Sequence, residues 1–380
     1  MNLSEATAEA RRRMEGDGLI LPDALVLDGK IHRVPVAGGK PRATDGYYHG
    51  FTDPPHNITW KNHKTGEQGK LVAGEKLTPA ERQEAKARAE ANGAKSDEDL
   101  ARRRAEAAKQ AQAILARSIP LPEGDTTNPY LMAKGVAACP GLYALKYGQE
   151  VGKFTFPKGS LVMPISDAAG KLTSLQFIAP KPNKDGGWPK HQLKDGKKQG
   201  CGFVIEGETA SGRKDFTPAF ANTLMICEGL ATGLSLHEAT NYPVLVAIDA
   251  GNLLAASQAY REAGRFKSWT WLFCADNDDK GEGKRNTGVE SATEAARAVG
   301  GLVAIPRLDS GGKCDWNDVH QQQGIEEVRR QLAAALASNE DGDNMAENHA
   351  KINHSEENRQ EESASSLPDA PRWLDALPAR

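Results

Sequence analysis

Between residues 221 and 337 the chain repeats one phrase four times: a short apolar run, a turn of small or acidic residues, then helical periodicity. The apolar runs are Thr223 to Cys227, Val244 to Ile248, Trp269 to Ala275 and Leu302 to Ile305. The helical stretches are Ala231 to Ala239, Leu253 to Ala263, Val289 to Val299 and Ile325 to Ala335. Strands joined by crossover helices close as a parallel sheet covered on both faces, so the expected class is α/β, a mostly parallel sheet flanked by helices. Ligands in such sheets bind outside the carboxyl ends of the strands. Carboxylates stand at those ends here. Glu228 follows the first run, Asp276 and Asp278 follow the third, and Asp315 and Asp318 follow the fourth, beyond the turn at Gly311-Gly312.

Side chains alternate along a strand, so Asp276 and Asp278 share a side if the third strand runs on to Asp278. Oxygen ligands without nearby His or thiolate partners favour Mg²⁺ or Mn²⁺, and no zinc is expected. The five cysteines are widely spaced with no Cys-x-x-Cys pair, which argues against a zinc ribbon or a disulfide framework. Cys227 and Cys274 fall inside apolar runs and are expected to be core residues.

The rest of the chain divides by composition. Residues 1–75 open with a short polar helix and continue as short strands between turn signals, a small β-rich domain. Residues 76–118 begin with the capping box Thr78-Pro79-Ala80-Glu81 and are rich in Ala, Glu, Lys and Arg. Two helices broken near Asn92-Gly93 are expected there, as a charged connector that also carries Arg102, Arg103, Arg104 and Lys109. Residues 119–220 hold several strand signals around a lysine-rich loop, an α+β subdomain. In that loop Lys181, Lys184, Lys190, Lys194, Lys197 and Lys198, with Trp188 and His191 among them, suggest a groove for a polyanion with an aromatic for base stacking, against the plainer reading of a solvated loop. Residues 338–380 are an acidic tail, almost devoid of apolar residues until Trp373-Leu374, and expected to be disordered. The formal charge of −3 conceals this asymmetry, since the tail carries ten Asp/Glu against four Lys/Arg from 339 onward. No apolar run approaches the roughly 20 residues of a membrane span, so a cytoplasmic protein without a membrane partner is expected.

Two phrases carry a resemblance: Cys227-Glu228-Gly229 and Ala275-Asp276-Asn277-Asp278. A strand ending in Glu-Gly and a later one ending in Asp-x-Asp resemble the Toprim domain of bacterial-type primases, topoisomerases and some nucleases. Ile226 to Gly233, Asp249-Ala250-Gly251-Asn252-Leu253, Asn128-Pro129-Tyr130-Leu131 with Lys134-Gly135-Val136, and Asp315-Trp316-Asn317-Asp318 are similar to primases of plasmids, conjugative elements and phages. Two departures stand out: Thr232 where replicative primases usually carry Asp, and Asn317 in the third acidic motif. No Walker A motif is present.

The resemblance implies a Mg²⁺-dependent DNA primase making short RNA primers on single-stranded DNA from ribonucleoside triphosphates. It implies Asp276 and Asp278 as metal ligands, Glu228 as ligand or general acid/base, and Asp315 and Asp318 as outer metal or water ligands. Lys134 and the lysines from Lys190 to Lys198 are the candidate template or triphosphate contacts, and Gly229, Gly251 and Asn252 the loop formers. Two alternatives stay open: phosphodiester hydrolysis at the same site, or a non-catalytic scaffold binding single-stranded DNA or a replication partner. A helicase or replication protein docking on the tail would use Trp373-Leu374.

Overall fold

A computed structural model of the chain describes residues 2–39, 43–53, 55–74, 79–207, 222–279, 281 and 285–337, with the backbone alone described at 79–96. The expected tail, 338–380, lies outside the described residues, as does 208–221. The chain forms two compact units, Met1–Asp99 and Leu100–Arg380.

In the first unit, helix α1 (Leu3–Gly16) starts on a capping box in which Asn2 accepts from the Glu5 N–H and the Glu5 side chain returns to the Asn2 N–H. Strands β1 (His32–Val34), β2 (Gly46–Phe51), β3 (His56–Asn62) and β4 (Gln68–Ala73) follow as an antiparallel meander. Tyr48, Ile58 and Trp60 pack from the sheet onto Ala6, Ala10 and Met14 of α1. Val26-Leu27 is not a strand, and Leu27 packs against this core from a loop.

The connector is one helix, α2 (Pro79–Ala116), where two were expected. Gly93 in its interior costs about 1 kcal/mol relative to Ala, too little to break a run of such strong helix formers. In the second unit, Ala111 and Ile114 of α2 pack on one face of an antiparallel sheet, against Val162, Leu175 and Phe177. That sheet comprises β5 (Ile119–Pro120), β6 (Tyr143–Ala144), β9 (Leu161–Ser166), β10 (Leu172–Ile178) and β11 (Lys190–Gln192), in the order β11-β10-β9-β6-β5. Helix α3 (Pro129–Lys134) precedes β6, and the hairpin β7 (Gln149–Val151) and β8 (Phe154–Phe156) precedes β9. The opposite face of the sheet, with Leu161, Met163 and Ile165, joins the core of the α/β region.

The α/β region is the expected sheet. Strands β12 (Phe203–Ile205), β13 (Thr223–Cys227), β14 (Val244–Val246), β15 (Thr270–Cys274) and β16 (Leu302–Ala304) lie in the order β12-β14-β13-β15-β16. All pairings are parallel except that of β12 with β14. Helices α4 (Leu230–Thr240), α5 (Leu253–Ala263), α6 (Thr287–Val299) and α7 (Trp316–Gln323) follow, and residues 325–337 are also helical.

The two-residue period sorts the sheet's two cores. Met225, Cys227, Leu272 and Cys274 face α4 and α7, while Leu224, Ile226, Trp271 and Phe273 face α5 and α6. Both cysteines are thus core residues, and all five are buried free thiols. After β13 the chain crosses to β14 on one side and then to β15 on the other. The carboxyl ends of these three strands therefore flank a topological switch point, where open sheets bind ligands.

Candidate active site

Strand β15 stops at Cys274, short of the expected extension, because Asn277 pairs with another segment. Asn277 and Cys314 exchange N–H···O bonds of 2.9 and 3.0 Å in an isolated antiparallel bridge. The Asp276 to Asp278 loop is therefore fixed from outside the sheet. Asn286 adds a second clamp: its carbonyl accepts from the Asp278 N–H (2.9 Å), its amide donates to Asn277 Oδ1 (2.8 Å), and it caps α6 through the Val289 N–H. Gly288 supplies a third. A Cβ there would lie 2.2 Å from the Asp276 carbonyl oxygen, so only glycine lets the first turn of α6 come this close.

Asn286→Ala should cost about 1 kcal/mol for the lost cap, roughly 2–4 °C in melting temperature. It should also loosen Asp278, to be read as weaker Mn²⁺ binding. An unchanged melting curve and unchanged binding would show that Asn286 does not hold the loop.

Glu228 follows β13 and Asp249 follows β14, its neighbour. Ile248, just before Asp249, has φ +80°, a left-handed conformation that a β-branched residue adopts only under strain, and such strain gathers at functional sites. Asp315 and Asp318 are held by a different device. They form the capping box of α7, each side chain accepting the other's backbone N–H at 2.8–2.9 Å. The Asp-Trp-Asn-Asp phrase is thus a helix start in which both carboxylates are held by backbone N–H groups.

The carboxylates sense one another. Burial, then the charges of Glu228, Asp315 and Asp278, push Asp276 up to about 8, with Lys313 pulling the other way. Burial, then Asp278 and Asp249, raise Glu228. Burial, then Asp318, raise Asp315. Glu228 Oε1 and Asp276 Oδ1 are buried with no hydrogen-bond partner among the described residues. Buried, unpartnered carboxylate oxygens repelling one another call for a cation. As placed, no group of three or more His, Cys, Asp or Glu side chains among the described residues is arranged to hold a metal ion. An ammonium answers part of the charge instead, since Lys313 Nζ is paired with Asp278 Oδ1. In its chemistry, hard oxygens with two orphaned atoms at a switch point, the donor set suits Mg²⁺ or Mn²⁺ rather than a softer ion.

The lysines separate. Lys134 and Lys190 belong to the acid cluster: Lys190 is lowered by desolvation and by the charge of Lys134, and raised by Asp315 and Asp276. Its ammonium lies 5.6 Å from the centre of the Tyr130 ring. Lys134 ends α3, whose last carbonyls accept from Asn317 (2.8 Å, at Lys134) and Gln321 (2.9 Å, at Ala133) of α7. The Asn128 to Gly135 and Asp315 to Asp318 phrases are therefore one structure. Lys198 pairs with Asp249 at 2.6 Å. Lys194 lies apart, lining a groove of about 570 Å³ with Arg103 and Lys109 of α2, and the Lys197 carbonyl accepts from the Thr173 hydroxyl. Trp188 is partly buried and packed edge-on against Tyr130 (5.1 Å).

Of the expected loop formers, Asn252 is buried and fully used. It donates to the carbonyls of Cys201 (2.8 Å) and Ala247 (2.9 Å) and accepts from the Gly200 N–H (3.0 Å). Gly229, at φ −110° before α4, has open space where a Cβ would stand, and at Gly251 a Cβ would meet only Asp249 Oδ1 at 3.5 Å. Sequence reasoning left out Asp249 and Lys313 as site residues. Asp249 carried a readable signal, being another carboxylate just past a parallel strand. Lys313 carried none beyond its place next to the third acidic phrase.

Residues 223–326 match the family described as the Toprim domain. Two Escherichia coli proteins named DNA primase TraC are 33% and 31% identical to 75% of this chain, which spans 18% and 25% of their length. A solved Aquifex aeolicus primase comprising zinc-binding and RNA polymerase domains is 12% identical, over 88% of this chain and 85% of that one, at a TM-score of 0.35, too low to support an inference. Among the described residues no helix is long and apolar enough to cross a membrane. The chain therefore contains a Toprim domain, within a segment similar to the DNA primases named TraC.

Proposed function

We propose that this chain carries the catalytic core of a DNA primase, joining ribonucleoside triphosphates on a single-stranded DNA template with Mg²⁺ or Mn²⁺, in the cytoplasm. The observation that carries the reading is the proximity of two lysines, Lys134 and Lys190, to the half-buried carboxylates Asp276 and Asp315, near enough for their charges to act on one another. Carboxylates alone would suit hydrolysis equally. Cations beside them match the dense charge of a triphosphate, beyond the single charge of the phosphodiester that a hydrolase would cut.

Asp276 and Asp278, with Glu228 and Asp315, would hold the divalent ion, which when bound neutralises charge on the attacking 3′-oxygen and the departing pyrophosphate. Lys134 and Lys190 would bind the triphosphate oxygens opposite. Glu228, half-buried and raised, would serve either as a ligand or as the group that takes the proton of the 3′-hydroxyl. Asp318 would act through Asp315, keeping its carboxylate oriented. Lys194, with Arg103 and Lys109, and the neighbouring Lys197 and Lys198 would track the template backbone. A helicase or replication protein would dock on Trp373-Leu374.

The test is incubation of the purified chain with single-stranded template, ribonucleoside triphosphates and Mg²⁺, followed by sizing of the products. Template-dependent oligoribonucleotides, absent for Asp278→Asn, are expected. Cleaved template would replace this reading with a nuclease, and template bound without products would make the chain a non-catalytic binder.

A further inference from the structure

Lys313 has no part in the chemistry described above, yet it is the counter-charge of the acid cluster. Its ammonium pairs with Asp278, and the same charge pulls against the upward shifts of Asp276 and Glu228. The pairing raises Lys313 in turn, through Asp278 first and then Asp276 and Asp315. The two partners differ in their freedom. The Asp278 side chain is 24% exposed and its N–H is clamped by Asn286, whereas the Lys313 side chain is 67% exposed.

The backbone around Lys313 is likewise fixed on one side and open to solvent on the other. Cys314 is locked in the bridge to Asn277, while Gly311 and Gly312 precede Lys313 at φ +71° and +84° with nothing packed where a Cβ would stand. A divalent cation and an ammonium repel one another across a single carboxylate, so a cation entering at Asp278 weakens this pairing and favours release of the ammonium. A four-carbon stem at the solvent edge of the site can carry the freed charge only a short way. The phosphate oxygens of a nucleotide held by Lys134 and Lys190 would offer it a new partner.

Resting on the reading of the site as a nucleotidyltransferase, we propose that Lys313 is an exchangeable counter-ion. It pairs with Asp278 in the cation-free protein and, on cation binding, moves to the phosphates of the incoming nucleoside triphosphate.

The test compares the full chain with Lys313→Gln and Lys313→Arg, using Mn²⁺ binding followed by electron paramagnetic resonance without nucleotide, and nucleotide KM and kcat in primer synthesis. Lys313→Gln should bind Mn²⁺ about threefold to fivefold more tightly, the worth of an exposed ion pair. Its KM for nucleotide should rise with a smaller change in kcat, and Lys313→Arg should restore both values toward those of the parent. Equal or weaker Mn²⁺ binding by Lys313→Gln, in a parent that binds Mn²⁺ and loses it with Asp278→Asn, would overturn the exchange. Tighter binding with an unchanged KM would overturn the transfer to phosphate. A parent with no saturable Mn²⁺ binding would overturn the metal-site reading itself, and this proposal with it.

Discussion

Asp276→Asn should end synthesis and, in the cation-free protein at pH 8.5, raise the melting temperature. Asp276 is raised to about 8 by burial and by three neighbouring carboxylates. In the unfolded chain it titrates near the ordinary value for Asp, about 4. Between those values the folded state binds more protons than the unfolded one, so stability falls as pH rises from about 4 to about 8 and the whole loss is present above 8. Asparagine keeps the shape and cannot ionise, so its advantage should be near zero at pH 4–5 and largest above pH 8. Each pKa unit corresponds to about 1.4 kcal/mol. Allowing for relaxation, we expect a gain on the order of 2 kcal/mol, or about 4–8 °C. Scanning calorimetry in chelator at pH 5 and pH 8.5 measures it. A variant less stable than the parent at both pH values would mean that Asp276 is not under repulsion.

Gly288→Val should have the opposite effect on stability and the same effect on function. The contact it creates is with backbone, the Asp276 carbonyl oxygen at 2.2 Å and carbonyl carbon at 3.0 Å, which cannot swing aside as a long side chain would. Either α6 retreats, losing its packing on Trp271 and Phe273, or Asp276 is displaced. Overpacking of this kind costs about 1–3 kcal/mol. Primer synthesis and Mn²⁺ binding should both be lost. Gly229→Ala and Gly251→Ala provide the contrast, since neither position is crowded, and their stabilities should stay within about 0.5 kcal/mol of the parent. Melting curves for the three variants read out the difference. A Gly288→Val protein as stable and as active as the parent would remove this contact from the design of the site.

How far the sequence could be read depended on how local each signal was. The parallel sheet was legible because apolar runs such as Thr223–Cys227 have their own period and their own turn residues. Strands β2 and β4 were not. Gly46 and Gly50 interrupt one and Gln68 to Lys70 open the other, so their alternation emerges only when they pair with β3. The acids Glu228, Asp276 and Asp278 could be named because strand ends are where such sheets place chemistry. That Asp315 to Asp318 would start α7 was present in the spacing as a capping box, but with only Trp316, Asn317 and Val319 buried, its apolar face is too short to announce a helix. The lysine loop was legible only as a cluster in sequence. That Lys190 lies on β11 depends on sheet pairing, and that Lys198 pairs with Asp249 depends on a partner 51 residues away, neither of which any local pattern encodes. The Lys313 to Asp278 pairing spans 35 residues and depends on a bridge that no local pattern encodes.

The central claim is that Glu228, Asp276, Asp278 and Asp315 form one divalent-cation site, and calorimetric titration of Mn²⁺ at pH 7 in two buffers of different ionisation enthalpy tests it most directly. With Asp276 raised to about 8, the ion must displace its proton. Saturable binding with close to one proton released is therefore predicted, weakened at least about tenfold and stripped of proton release by Asp276→Asn. Absence of saturable binding in the parent, or binding of equal affinity and equal proton release in Asp276→Asn, would contradict it.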